Sequence, residues 1–169
     1  VPNAWRATSI VHLGPIAQEV SPSLVKQFPQ SKLYLSAQGW LRTWNQQGEI
    51  QVADWTEASR LLPKAEATVI SIEDVDGDEE GIRAMATDSN ILAVTEGRRG
   101  ARIYWQGEWQ QSPAPRVQEI DPTGAGDSFA GALMGHLAQA KKVDVISLRN
   151  AMVFGTVAAS YCIGDFSIH

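Results

Sequence analysis

Apolar positions along the chain come in short runs that alternate with helical spacing. SIVHL, residues 9–13, reads as a strand that stops at Gly14-Pro15. Ser21-Pro22 then reads as a helix N-cap with proline at the first helical position, opening SLVKQF. KLYLSA, residues 32–37, predicts the next strand. TWNQQGEIQVADW, residues 43–55, alternates around Gln47-Gly48 as a hairpin does, and a helix is predicted from Thr56 through EASRLL to Pro63. ATVISI, residues 67–72, is a buried-looking strand.

The acidic residues Glu73, Asp74, Asp76, Asp78, Glu79 and Glu80 lead into GIRAMATDS, a helix expected to end near Asn90, and ILAVTEG follows as a strand broken at Gly97. ARIYW and EWQQS flank Gln106-Gly107 as a second hairpin. From Gly124 the spacing is helical to about Ala140. A last helix, from Val143 to about Ile163, is nearly all apolar or small after Asn150 and is expected to be buried against its neighbour or a sheet. Alternating buried strands and helices predict an α/β protein with a mostly parallel central sheet, whose ligands bind at the carboxyl ends of the strands.

Composition narrows this picture. The chain has 169 residues, 44% hydrophobic and 20% charged, as expected of about one globular domain. A net charge of -5, with no Lys/Arg block longer than two, lacks the footprint of a nucleic-acid binder. The single cysteine, Cys162, cannot form an internal disulfide or a zinc cluster and reads as a structural thiol in a reducing cytoplasm. No apolar run near 18 residues and no signal-peptide pattern stand out, so neither a membrane partner nor export is expected. The six tryptophans read as core or hairpin packing. The first residues lack an initial Met and lead straight into a strand, as the middle of a longer polypeptide would.

The most informative stretch is DPTGAGDSFAGA, residues 121–132. Gly124 and Gly126 permit backbone conformations closed to other residues, and the helix that follows presents unpaired N–H groups and the positive end of its dipole. That combination holds anions. Asp127 sits where a phosphate would arrive, and a carboxylate there repels one. Two readings of Asp127 follow: a helix cap or first-turn residue, or a general base beside amides that stabilise charge on a transferred group. The loop lacks the GK[ST] ending of a Walker-type loop and the GxGxxG spacing of a dinucleotide fold.

The whole string resembles the carboxy-terminal signature of the PfkB, or ribokinase-like, carbohydrate kinases, which use ATP to phosphorylate hydroxyls of sugars, nucleosides and related polyols. TEGRRGA, residues 95–101, resembles the family's T-x-G-x-x-G-A nucleotide loop, and a helix of FGTVAAS type follows the signature. The resemblance implies a three-layer ribokinase-like fold with Asp127 as catalytic base and the amides of Gly124, Ala125 and Gly126 as the anion hole. It further implies nucleotide contacts at Thr95, Gly97 and Gly100, with Thr156 in the region lining the adenine pocket. Arg98 and Arg99 read either as phosphate neighbours or as solvated turn residues.

The family's N-x-x-E motif, which orders water around the Mg²⁺ that accompanies ATP, falls here on Ser71 and Asp74, so Asn and Glu become Ser and Asp. Ser71 is carried over as a cofactor contact and Asp74 as a water-mediated magnesium residue. Asp121 and Thr123 match the pair that binds a monovalent cation such as K⁺ in family members. LSAQGWLR, residues 35–42, falls where sugar-kinase relatives have a D-x-N-x-x-R-like stretch, which makes Gln38 and Arg42 acceptor or phosphate candidates; His12, at a strand end, is a third.

No Gly-Gly pair occurs in the chain, whereas the family's amino-terminal portion carries one together with most of the sugar pocket and a small β lid. The resemblance therefore covers the carboxy-terminal part of a single kinase domain, residues 1–169, holding the nucleotide half of the active site. GDFSIH at the end is expected to stop short of a final strand or helix. The implied partners are ATP, a small hydroxylated substrate, and the missing amino-terminal part or a second copy; the chain alone is expected to be inactive. A catalytically silent nucleotide sensor on the same fold is the alternative.

Overall fold

The computed structural model describes residues 1–164; the closing residues of GDFSIH lie outside that range. The chain forms two compact units. The first comprises Val1–Leu92 with Trp105–Gly107, and the second comprises Ala93–Tyr104 with the chain from Glu108 onward.

In the first unit lie β1 (Ile10–Leu13), β2 (Lys32–Ser36), β3 (Arg42–Trp44), β4 (Ile50–Val52), β5 (Ala67–Ser71) and the first two residues of β6 (Ile91–Thr95). The sheet runs in the order β1-β2-β5-β6. β1 and β2 pair in parallel from Ile10 opposite Lys32 to Leu13 opposite Leu35, and β2 pairs in parallel with β5 from Tyr34 opposite Ala67 to Ser36 opposite Val69. Leu33, Tyr34 and Leu35 are all buried, as are Ala67 to Ile70, which is why these strands read as unbroken apolar runs. β1 instead alternates, burying Val11 and Leu13 and exposing Ile10 and His12.

β3 and β4 form the expected hairpin, antiparallel from Arg42 opposite Val52 to Trp44 opposite Ile50. The Asn45 side chain organises its turn by accepting from the N–H groups of Gln47 at 3.0 Å and Glu49 at 2.9 Å. The predicted helices here are shorter than expected. Pro22–Gln27 is a 3-10 turn, capped by Ser21, whose Oγ accepts from the Ser23 N–H at 3.3 Å. α1 covers only Ala58–Leu61 before tightening into a 3-10 turn, Leu62–Lys64, because Pro63 removes a backbone donor. α2 (Glu79–Asp88) is capped by Asp78, so the acidic run is a helix start.

The second unit continues β6 into β7 (Ala101–Trp105) and β8 (Glu108–Ser112), in the order β6-β7-β8, with both Gln106 and Gly107 at positive φ between the last two. α3 (Ala125–Gln139) and α4 (Val145–Ile163) pack together through Phe129, Leu133, Leu137, Leu148 and Met152. The contact is close at Gly155, where a Cβ would come within 2.8 Å of the Phe129 ring. Asp144 caps α4 reciprocally with Ser147, both bonds at 2.8 Å.

α4 is buried against its neighbour α3, as expected, on one face only. It is not buried all round: Ile146, Val153, Phe154 and Tyr161 are 70%, 50%, 58% and 82% exposed. One expectation is corrected: it is long and apolar enough, by length and composition, to cross a membrane, a property that core helices of globular proteins share. The tryptophans divide as well: Trp40 is buried and stacks on Trp55 at 5.2 Å between ring centres, while Trp5 is 65% exposed.

Candidate active site

The candidate residues fall into one group in each unit. In the first, they gather beyond the carboxyl ends of β1, β2 and β5. His12 Nε2 lies 2.9 Å from Ser36 Oγ, which ties the ends of β1 and β2 together. Gln38, half-buried, opens the 3-10 turn Gln38–Leu41 that delivers Arg42. That turn is fixed by Gly39, whose N–H donates to the Pro15 carbonyl at 2.8 Å and whose Cβ, if it had one, would fall 2.5 Å from the Pro15 carbonyl carbon.

Arg42 Nη2 donates to Asp74 Oδ1 at 3.1 Å. The other carboxylate oxygen, Oδ2, accepts the Ser71 N–H at 2.8 Å, while Ser71 Oγ accepts the Glu73 N–H at 3.2 Å. Ser71 and Asp74 thus form a reciprocal cap on the 3-10 turn Ile72–Val75. The Asp74 side chain is 2% exposed and turned onto Arg42, an arrangement that does not offer it to the water shell of a metal. Among the described residues, no three His, Cys, Asp or Glu side chains gather as metal ligands would.

In the second unit the glycine loop opens α3. Gly124 is the N-cap at φ +80°, a left-handed conformation that calls for glycine. The Ala125 N–H donates to the Pro122 carbonyl at 3.1 Å, and the Gly126 and Asp127 amides follow as first-turn donors with no preceding helical carbonyl. Asp127 is exposed in the first turn of α3, three residues after the N-cap. Asp121 Oδ1 accepts the Thr123 N–H at 2.9 Å, and this bond, with a further one from the Thr123 side chain, holds the Asp121 carboxyl below the usual carboxylate range. Cys162 Sγ donates to the Thr123 carbonyl at 3.3 Å, and the Ile163 carbonyl accepts from Ile120 at 2.8 Å, so the end of α4 braces the loop.

The second glycine loop joins β6 to β7. Thr95 ends β6, and Gly97 and Gly100 bracket a 3-10 turn at φ +57° and +98°. At Gly100 a Cβ would also lie 2.1 Å from the Ser112 carbonyl oxygen, so glycine is required there twice over. Arg98 pairs with Glu119 at 3.2 Å, and Arg102 pairs with Glu96 at 3.2 Å beneath the Trp109 ring. Thr156 is packed inside α4, its hydroxyl donating back to the carbonyls of Met152 at 3.0 Å and Val153 at 3.1 Å. Sequence reasoning missed two of these features: the Ser71–Asp74 cap, for which the S-x-x-D pattern at residues 71–74 was the available signal, and the Arg42–Asp74 pair, for which there was none.

A family model described as pfkB family carbohydrate kinase matches residues 38–167. An inositol 3-kinase of Zea mays is 35% identical over 152 residues, which are 86% of this chain and 38% of that protein. Two solved structures share the fold: a pyrophosphate-dependent kinase in the ribokinase family, complexed with a pyrophosphate analog and myo-inositol (TM-score 0.79, 18% identity, 95% of this chain and 60% of that one), and a fructokinase from Vibrio cholerae O395 with fructose, ADP and calcium ion bound (TM-score 0.69, 20% identity, 91% and 54%). The chain therefore spans between 38% and 60% of these proteins' length. With three quarters of its residues inside the family match and a ribokinase-like α/β fold, the chain belongs to the pfkB family of carbohydrate kinases.

Proposed function

We propose that these residues supply the nucleotide half of a kinase that transfers the γ-phosphoryl group of ATP to a hydroxyl of a sugar, nucleoside or cyclitol. The observation that carries this is the start of α3: Asp127 is exposed in the first turn, which follows a left-handed glycine N-cap, beside the first-turn amides of Gly126 and its own backbone. Asp127 takes the proton from the attacking hydroxyl while those amides hold the charge of the transferred group. Gly124 and Ala125 shape the hole. Thr95, Gly97 and Gly100 form the wall for the nucleotide. Asp121 and Thr123 are the pair that a monovalent cation such as K⁺ would meet. Mg²⁺ accompanying the nucleotide would neutralise charge on the donor phosphates, and the part of Asp74 is to hold Arg42 ready for a phosphate or acceptor oxygen, with Gln38 and His12 also at candidate acceptor positions.

Among acceptors a cyclitol is favoured, since both the Zea mays inositol 3-kinase and the structure containing myo-inositol point to one. The activity is proposed for the polypeptide that completes the length of the relatives, in the same chain or from a partner, and the 169 residues alone are expected to transfer nothing. A reducing cytoplasm is the proposed setting, in keeping with the lone thiol of Cys162. A silent nucleotide sensor is the second reading, favoured by the inward-turned Asp74. The deciding experiment assays the complete protein with ATP, or with pyrophosphate, against myo-inositol, fructose and nucleosides. Asp127→Asn should keep nucleotide binding and lose about 10²- to 10⁴-fold in turnover. Undiminished turnover in that variant refutes the base; absence of transfer by the unaltered protein supports the sensor.

A further inference from the structure

A cavity of about 350 Å³ lies within the first unit, lined by none of the candidate site residues above. Its floor is apolar, from Val11 and Leu33, which are paired neighbours on β1 and β2, and from Leu61 of α1. Lys26, Arg60 and Lys64 line it as well, and no Asp or Glu does. In a chain carrying 19 acidic against 14 basic residues, three cations without an acid around one cavity is a local reversal of charge. Glu57 pairs with Arg60 at 2.6 Å; Lys26 and Lys64 form no ion pair among the described residues.

The position is informative. Ser31 and Lys64, both lining residues, precede β2 and β5, so the cavity opens toward the amino ends of the parallel strands. His12 and Ser36 lie toward the opposite, carboxyl ends of β1 and β2, and Arg42 lies beyond β2; none of the three lines the cavity. The volume is at the lower end of the small-molecule range, in a half-open groove with an apolar base and polar groups along it.

We propose that this cavity is a second ligand site, which takes a small molecule with an apolar ring or short chain ending in a phosphate-type anion. The apolar part rests on Val11, Leu33 and Leu61, and the anion meets the ammonium groups of Lys26 and Lys64 with Arg60 beside them. Neither half of such a ligand suffices, because the lysines are exposed and screened while the floor has no means of selecting an anion.

The test is calorimetric titration of the 169-residue chain with phenyl phosphate, using inorganic phosphate and benzyl alcohol as the separated halves. One-to-one saturation is expected, with each half at least about tenfold weaker. Lys26→Glu combined with Lys64→Glu, both at exposed positions, should weaken phenyl phosphate by about tenfold or more while leaving the circular dichroism spectrum unchanged. Val25→Trp, which fills the cavity from its wall, should do the same. Saturating ATP should leave the isotherm unaltered. Non-saturable uptake, equal binding of either half, indifference to the lysine reversal, or displacement by ATP would each overturn the proposal.

Discussion

Arg42 and Asp74 form an ion pair of unequal access, the arginine side chain 23% exposed and the aspartate 2%. The carboxylate has lost its water and regains only two bonds, one from the guanidinium and one from the Ser71 amide. Removing either partner is therefore costlier than the pair is stabilising, because the survivor is left partly desolvated and uncompensated. Asp74→Ala should lower stability by about 3 kcal/mol, toward the low end for buried pairs because Arg42 can still reach solvent. Adding Arg42→Ala should cost little more, and a denaturant-melt double-mutant cycle would measure the coupling. Strictly additive losses would mean that the pair does not hold the two side chains together. Single residues were legible in the sequence when their chemistry was local. Gly97 and Gly100 require positive φ in a short turn, and Asp127 follows a glycine loop at a helix start. Arg42 and Asp74 are 32 residues apart and meet only because β2 and β5 are adjacent, which no local pattern encodes. The inward bonding of Thr156 was equally hidden, since its hydroxyl meets carbonyls three and four residues back in a helix that otherwise reads as apolar.

At the scale of elements, the second unit depends on the close approach of α3 and α4. Gly155 is the contact that permits it, with the Phe129 ring where a Cβ would stand and the Phe129 carbonyl oxygen at 3.2 Å. Neither neighbour is the far end of a flexible chain. Gly155→Val should cost about 2–3 kcal/mol through overpacking, despite valine's better helix propensity, and a lowered urea midpoint with an unchanged slope would report it. A neutral or stabilising result would show that the helices can slide apart freely. Element type followed the burial pattern closely: β2, β5 and β6 are continuous apolar runs because both faces are covered, and both hairpins lie where Gly follows a polar residue. Helix length was less legible. The segment after Ser21 has a good cap and a proline at the right position, yet its six residues settle as a 3-10 turn, because a cap lowers the cost of starting a helix without supplying the apolar face that would extend it. The composition of α4 shows how apolar it is but not which of its faces finds a neighbour.

At the scale of the whole molecule, charge and exposed apolar surface act against each other. The net charge of -5 at pH 7 keeps copies apart, and it falls toward zero near the isoelectric point of about 5.1. Meanwhile α4 presents Ile146, Val153, Phe154, which also stacks on His136, and Tyr161 to solvent, apolar surface of the kind that favours association. That surface attracts at every pH, whereas the repulsion that restrains it weakens on acidification. Association should therefore rise steadily as pH falls from 7.5 to 5.5, and added salt at pH 7.5 should mimic part of that rise by screening. Phe154→Ser with Tyr161→Ser leaves the net charge untouched, so it separates the two contributions. In sedimentation velocity the double variant should remain closer to a monomer at pH 5.5 than the unaltered chain. If both sediment alike at every pH, these α4 residues are not the adhesive surface, and the open face of β1, with Ile10 44% exposed, is the next surface to substitute.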